Sequence, residues 1–145
     1  MDKSLFEVPR KSHIDQGELY FWTATINKWQ RLLGRDEYKD VITDSLQHLT
    51  DNGKIHVFAF VIMPNHLHFI WRVNEPNGKE SPQGSLLKFT THMFQKMLRG
   101  EGSGKLNSYR VNAENKKFEF WQRDSLAVPL FSRNVIMQKL DIGSQ

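Results

Sequence analysis

Phe60-Val61-Ile62-Met63-Pro64-Asn65-His66-Leu67-His68-Phe69-Ile70-Trp71 is the stretch on which the fold turns. Two runs rich in β-branched and aromatic residues, Ile55 to Met63 and His66 to Val73, meet at Pro64-Asn65, a dipeptide that favours chain reversal. This predicts a hairpin whose turn lies beside two histidines. Upstream, Tyr38, Val41, Ile42, Leu46 and Leu49 recur at three- and four-residue spacing between Asp36 and Thr50, which makes one face of a helix, with Asn52-Gly53 as its stop. Leu19 to Ile26 reads as a first, buried strand, preceded by a polar arm over residues 1–17. Downstream, Asn74 to Gly84 is a loop by composition. Ser85 is placed to cap a helix whose face carries Leu86, Phe89, Thr90, Met93 and Met97 and which Gly100 ends. Glu101 to Lys117 keeps no apolar period and predicts a mobile basic loop. Phe118 to Trp121 alternates as a strand, Leu126 to Phe131 is an edge or bulge because Pro129 interrupts it, and Ser132 caps a last helix reaching Asp141. The order implies an α+β fold of the ferredoxin-like or RRM-like class, an antiparallel sheet with helices packed on one face.

The chain has 145 residues, 39% of them hydrophobic, which suits one domain with one core. Its net charge of +4 is compatible with a polyanionic partner without requiring one. The absence of cysteine excludes thiolate nucleophiles, disulfides, iron–sulfur ligation and Cys-containing zinc fingers. The longest apolar run, Val57 to Met63, is far short of the roughly 20 residues that cross a bilayer, and the acids near Met1 are unlike a signal peptide. A soluble cytoplasmic protein with no membrane partner is expected.

His66 and His68 are two apart on an expected strand, so both imidazoles leave the same face while Leu67 leaves the other. Two imidazoles held that close make half of a metal site. With no cysteine in the chain, amide, carboxylate, water or substrate oxygens would complete it and leave open positions. The bare His-x-His pattern is weak by itself and more often structural. His13, His48, His56 and His92 read as solvated or capping residues rather than ligands.

The run from Phe60 to Trp71 resembles the HUH motif of the single-tyrosine transposases, in particular the REP-associated tyrosine transposase branch. Phe120-Trp121-Gln122-Arg123-Asp124-Ser125, Ser132-Arg133 and Lys139-Leu140-Asp141 are similar to that family's sequence leading into its last helix, so the resemblance spans about Leu19 to Asp141. It implies a DNA strand transferase acting in transposition on single strands folded into hairpins. His66 and His68 would hold Mg2+ or Mn2+ on the scissile phosphate, and a tyrosine would attack phosphorus to leave a 5′-phosphotyrosine and a free 3′-hydroxyl. It also implies a homodimer.

The family carries its tyrosine directly after a segment like Gln138-Lys139-Leu140-Asp141, where this sequence has Ile142 and then Gly143-Ser144-Gln145. The expectation is a single domain truncated in or just after its last helix, without the catalytic tyrosine. Tyr20 reads as strand core, Tyr38 as helix-face packing, and Tyr109 as a surface or DNA-stacking residue in the mobile loop. Lys88, Lys96, Arg99, Arg110, Arg123 and Arg133 are the expected nucleic-acid contacts; an ordinary solvated surface explains the same charges equally well. Phe118, Phe120 and Trp121 could stack on exposed bases, although such spacing more often marks core. Phe58-Ala59-Phe60-Val61 matches part of the RRM signature, but His56, Val57 and Met63 break its flanks. The alternative function is a non-catalytic single-stranded or hairpin nucleic-acid binder with an RRM-like sheet.

Overall fold

A computed structural model of the chain describes residues 12–112 and 117–130. In β1 (Leu19–Thr25) the pleat sends Tyr20, Trp22 and Ala24 inward and Leu19, Phe21, Thr23 and Thr25 outward. Helix α1 (Asp36–Asp51) buries Tyr38, Val41, Ile42, Leu46 and Leu49, the face its spacing predicts. Asp36 and Glu37 in its first turn complement the positive helix end, and Gly53, at φ +74°, turns the chain out of it. β2 (Ile55–Met63) and β3 (His66–Val73) form the expected hairpin, with Met63 opposite His66 across the Pro64-Asn65 turn. The register of the pair slips between Val57 and Ala59, which leaves Phe58 as an extra residue on β2.

Helix α2 (Pro82–Glu101) starts earlier than the sequence suggested. Ser81, not Ser85, is its cap: the Ser81 hydroxyl accepts the Gly84 N–H at 3.1 Å, and Pro82 is preset for the first helical position. Gly102 in the left-handed conformation, not Gly100, ends it. The basic loop expected over Glu101 to Lys117 contains a 3-10 turn, Lys105–Tyr109, and then β4 (Arg110–Asn112), paired with β5 (Lys117–Phe118). Tyr109 anchors this part: its ring stacks on buried Phe120 at 4.5 Å and its carbonyl accepts the Glu119 N–H. Of the strand expected over Phe118 to Trp121 only Phe118 belongs to a ladder, while Trp121 makes a single bridge to Ile26. β6 (Leu126–Pro129) lies at the sheet edge beside β1, the position its proline requires.

The four-stranded sheet has the order β2-β3-β1-β6, with every neighbour antiparallel. With α1 between β1 and β2, and α2 between β3 and β6, this is the ferredoxin-like arrangement. One core joins the inward residues of β1 and β3 to the buried faces of both helices. Its aromatic rings form two groups, Trp22 with Phe69 and Trp71 in the sheet, and Phe94 of α2 with Tyr38 of α1, Phe120 and Trp121. Among the described residues no helix is long and apolar enough to cross a membrane. The last helix expected over Ser132 to Asp141, with Arg133, and the Ile142 position lie outside the described residues.

Candidate metal centre

His66 and His68 leave β3 on the sheet face opposite the helices, while Leu67 and Phe69 enter the core between and beyond them. His66 sits opposite Thr25 on β1, and His68 opposite Thr23 on β1 and Val61 on β2. The two rings meet edge to face, with centroids 4.8 Å apart and planes at 71°. Each Nδ1 is engaged. His66 Nδ1 lies 2.7 Å from Asn65 Oδ1, and an amide oxygen can only accept, so that nitrogen carries the proton and Nε2 keeps its lone pair. His68 Nδ1 lies 2.8 Å from Thr23 Oγ1, a hydroxyl that can accept from Nδ1–H or donate to a bare Nδ1; in the first arrangement Nε2 keeps its lone pair. Phe21 stacks on the His68 ring at 5.0 Å and restricts its rotation. The donor set thus fits a cation bound through two Nε2 atoms. Among the described residues no group of three His or acidic side chains is close enough to hold a metal alone, so oxygen ligands from elsewhere would complete the shell.

The turn carrying this pair is fixed from outside the hairpin. Pro64 sets φ near −65°, which rules out the primed turns that suit two-residue hairpins best. Two backbone bonds hold the turn instead: Ile26 N–H donates to Asn65 O at 2.9 Å and Leu33 N–H to Pro64 O at 2.9 Å. The segment between β1 and α1 is therefore laid against the histidine end of the sheet.

None of the three tyrosines shares the histidine face. Tyr20 is buried on the helix side of β1, and its hydroxyl accepts the Asp15 N–H. Tyr38 is buried in α1, donates to Glu101 at 2.7 Å, and has its phenol pKa raised by burial and then by that carboxylate. Tyr109, expected at the surface, is buried, and burial pushes its phenol up to about 12. Phe120 and Trp121 are likewise core rather than stacking surfaces; Trp121 donates its indole N–H to Thr90 Oγ1 at 2.9 Å.

The expected basic contacts are dispersed. Lys88, Lys96 and Arg99 belong to α2, in the layer on the other side of the sheet from the histidines. Lys88 is also paired with Glu80 at 2.7 Å, which holds the Glu80 carboxyl below its ordinary range. Arg110 lies over the Phe118 ring at 5.6 Å. Arg123 follows Gln122, whose N–H bonds Thr25 O near the histidine end, but its guanidinium lies 3.8 Å from Glu119 and it lines a cavity with Leu87, Lys88 and Thr91 of α2. Thr23 and Asn65, which orient the two imidazoles, were not singled out as site residues in the sequence. Asn65 reads there as a turn former, and the role of Thr23 follows only from strand register.

No family model matches the sequence, and no curated protein does. Solved structures are similar to it, among them two transposases. One is a REP-associated tyrosine transposase bound to a REP hairpin, 13% identical, with 93% of this chain and 69% of that chain covered and a TM-score of 0.59. The other is a candidate transposase from Deinococcus radiodurans R1, 14% identical, with 96% and 98% covered and a TM-score of 0.48. At such identity the likeness to the first establishes the α+β fold, and chemistry must be argued from the residues.

Proposed function

We propose that this chain is a single HUH-type domain of the REP-associated tyrosine transposase kind, which engages single-stranded DNA at hairpin ends through a divalent cation, Mg2+ or Mn2+. Homodimerisation and a cytoplasmic location belong to the same reading. The observation that carries it is the pairing of His66 and His68 on one face with both Nδ1 atoms occupied by protein partners. A histidine pair kept for packing needs neither this shared orientation nor a polar partner on each ring. His66 and His68 would hold the ion through Nε2, and Asn65 and Thr23 would keep the rings turned. A cation there supplies neutralisation of charge on the phosphate oxygens.

The tyrosines favour a second reading, in which the protein binds hairpin or single-stranded DNA without cleaving it. All three hydroxyls of this sequence lie in or under the helical layer, and the two perturbed phenols are shifted away from phenolate. One experiment with two readouts tests both readings. His66→Ala and His68→Ala should each abolish Mn2+ binding, followed by the paramagnetic resonance of the free ion, with thermal unfolding little changed. Unchanged affinity in both variants removes the metal site. Mixing wild-type protein with labelled hairpin-bearing single-stranded DNA and Mn2+ then separates the alternatives: an adduct that survives detergent and heat marks a transferase, and binding without an adduct marks the non-catalytic form.

A further inference from the structure

Between β1 and α1, two consecutive residues with side chains, Lys28 (φ 58°, ψ 24°) and Trp29 (φ 57°), occupy the left-handed backbone region that L-residues avoid. Neighbours on every side impose this conformation. Ile26 N–H donates to Asn65 O, Asn27 N–H to Phe120 O and Leu33 N–H to Pro64 O, and Ile26 and Leu33 are themselves fully buried. Gln30 is clamped to Ser108 in both senses, its Nε2 donating to the Ser108 carbonyl at 3.0 Å and its Oε1 accepting the Ser108 hydroxyl at 2.7 Å. The strain does not serve burial. Trp29 is 61% exposed, while Trp22, Trp71 and Trp121 are all in the core.

The chain neighbours of the projecting indole are cationic and polar. Lys28 precedes it, and Gln30 and Arg31 follow. Among the described residues no carboxylate pairs with Lys28 or Arg31. Arg31 also borders a cavity of about 230 Å³ together with Lys105 and with Arg35, which is itself paired with Glu37 and Glu101. Both ends of the strained segment are bonded to the Pro64-Asn65 turn, which places it beside His66. A rigid exposed aromatic ring between two uncompensated cations matches a nucleotide chain, with a π-face for a base and charges for the phosphates on either side.

We infer that Asn27–Arg31 is a preformed single-stranded DNA contact in which the Trp29 indole stacks on an unpaired base while Lys28 and Arg31 take adjacent phosphates. The inference rests on the reading of His66 and His68 as a phosphate-engaging centre, because a strand held there passes this loop, and it deepens that reading by naming the contact.

The test is fluorescence titration of the full chain with a short oligo(dT) in the presence of a chelator, so that metal plays no part. Trp29 is the exposed tryptophan of the four, so base stacking should quench the red edge of the emission saturably. Trp29→Ala should weaken oligo(dT) binding about 10-fold and abolish that quench, Trp29→Phe should keep most of the affinity, and an abasic strand of equal length should bind wild type about as weakly as Trp29→Ala binds oligo(dT). Lys28→Ala and Arg31→Ala should each lower the slope of log affinity against log salt by about one. The inference is overturned if Trp29→Ala, melting as wild type does, binds oligo(dT) undiminished, if the abasic strand binds as well as oligo(dT), or if wild type binds neither. Tighter binding to oligo(rU) overturns the assignment to DNA. Loss of Mn2+ binding in His66→Ala beside an indifferent Trp29→Ala sinks this contact and leaves the metal reading standing. A Trp29-dependent affinity in a protein that binds no Mn2+ does the reverse.

Discussion

Thr23→Val exchanges one hydroxyl for a methyl at a half-buried β1 position directly opposite His68. It removes the 2.8 Å contact to His68 Nδ1 and little else. A hydrogen bond of this kind contributes a net ~0.5–1.5 kcal/mol to stability, and valine regains a few tenths through its preference for strands. The net loss is therefore about 1 kcal/mol at most, a fall in Tm of roughly 4 °C or less for a chain of this size. Metal affinity responds more strongly, because the hydroxyl orients the His68 ring. Removing such an outer partner lowers affinity about 10- to 100-fold, or ~1.4–2.7 kcal/mol. The assay is Mn2+ titration alongside thermal melting for wild type, Thr23→Val, His68→Ala and the double variant. Thr23→Val should have no further effect on metal binding once His68 is gone, which is the coupling a double-mutant cycle isolates. The reasoning fails if Thr23→Val binds Mn2+ as tightly as wild type while His68→Ala does not bind it at all.

Two further outcomes are expected. Phe94→Ala empties a fully buried position ringed by Tyr38, Phe120 and Trp121, which should cost ~3–5 kcal/mol and lower Tm by about 10 °C or more, and a fall of only a degree or two would show that α2 is not held through this side chain. The Glu101 carboxyl is held below its ordinary range, first by the Tyr38 hydroxyl and then by Arg35. A carboxyl so depressed adds stability that is complete above the unfolded value of about 4.3 and is lost as pH falls through the folded value. Tyr38→Phe should therefore melt below wild type at neutral pH, and the gap should narrow toward about pH 3; a gap independent of pH contradicts the assignment.

The histidine pair and the α1 face were legible because both are properties of one element: a period of two puts His66 and His68 together whatever the rest of the chain does, and a period near 3.6 does the same for Tyr38, Val41 and Ile42. Residues whose partners are distant in sequence were not. Thr23 meets His68 only through the β1–β3 register, and Tyr109 is buried by Phe120, a single contact that leaves no periodic trace in a stretch rich in Gly, Ser, Asn and Lys. The start of α2 was misplaced because Ser81 and Ser85 are both competent caps. Pro82, which fits the first helical position, decides between them. Lys28 and Trp29 carry no local mark of a left-handed turn, since no glycine stands there. Their conformation is imposed by four backbone and side-chain anchors from other parts of the chain.

The pleat also decides which chemistry the sheet can host. Tyr20 is the neighbour of Phe21, and Phe21 stacks on His68, yet the phenol is on the far side of the sheet. Bringing it to the histidines would take a one-residue slip of β1, and the slip would turn Trp22 and Ala24 out of the core along with it. Burying Tyr20 and Trp22 is worth several kcal/mol, on the order of 1.5–3 for each large side chain, so no thermally accessible state of the folded sheet presents that hydroxyl. Tyr38 and Tyr109 are separated from the site by the sheet itself. A second copy of the chain offers the same three buried hydroxyls. A covalent tyrosine–DNA adduct on any of them would therefore require local unfolding, and its yield should rise with mild denaturant rather than fall. The histidine pair needs no such opening, because both rings are already held on the outer face through Nδ1 by Asn65 and Thr23.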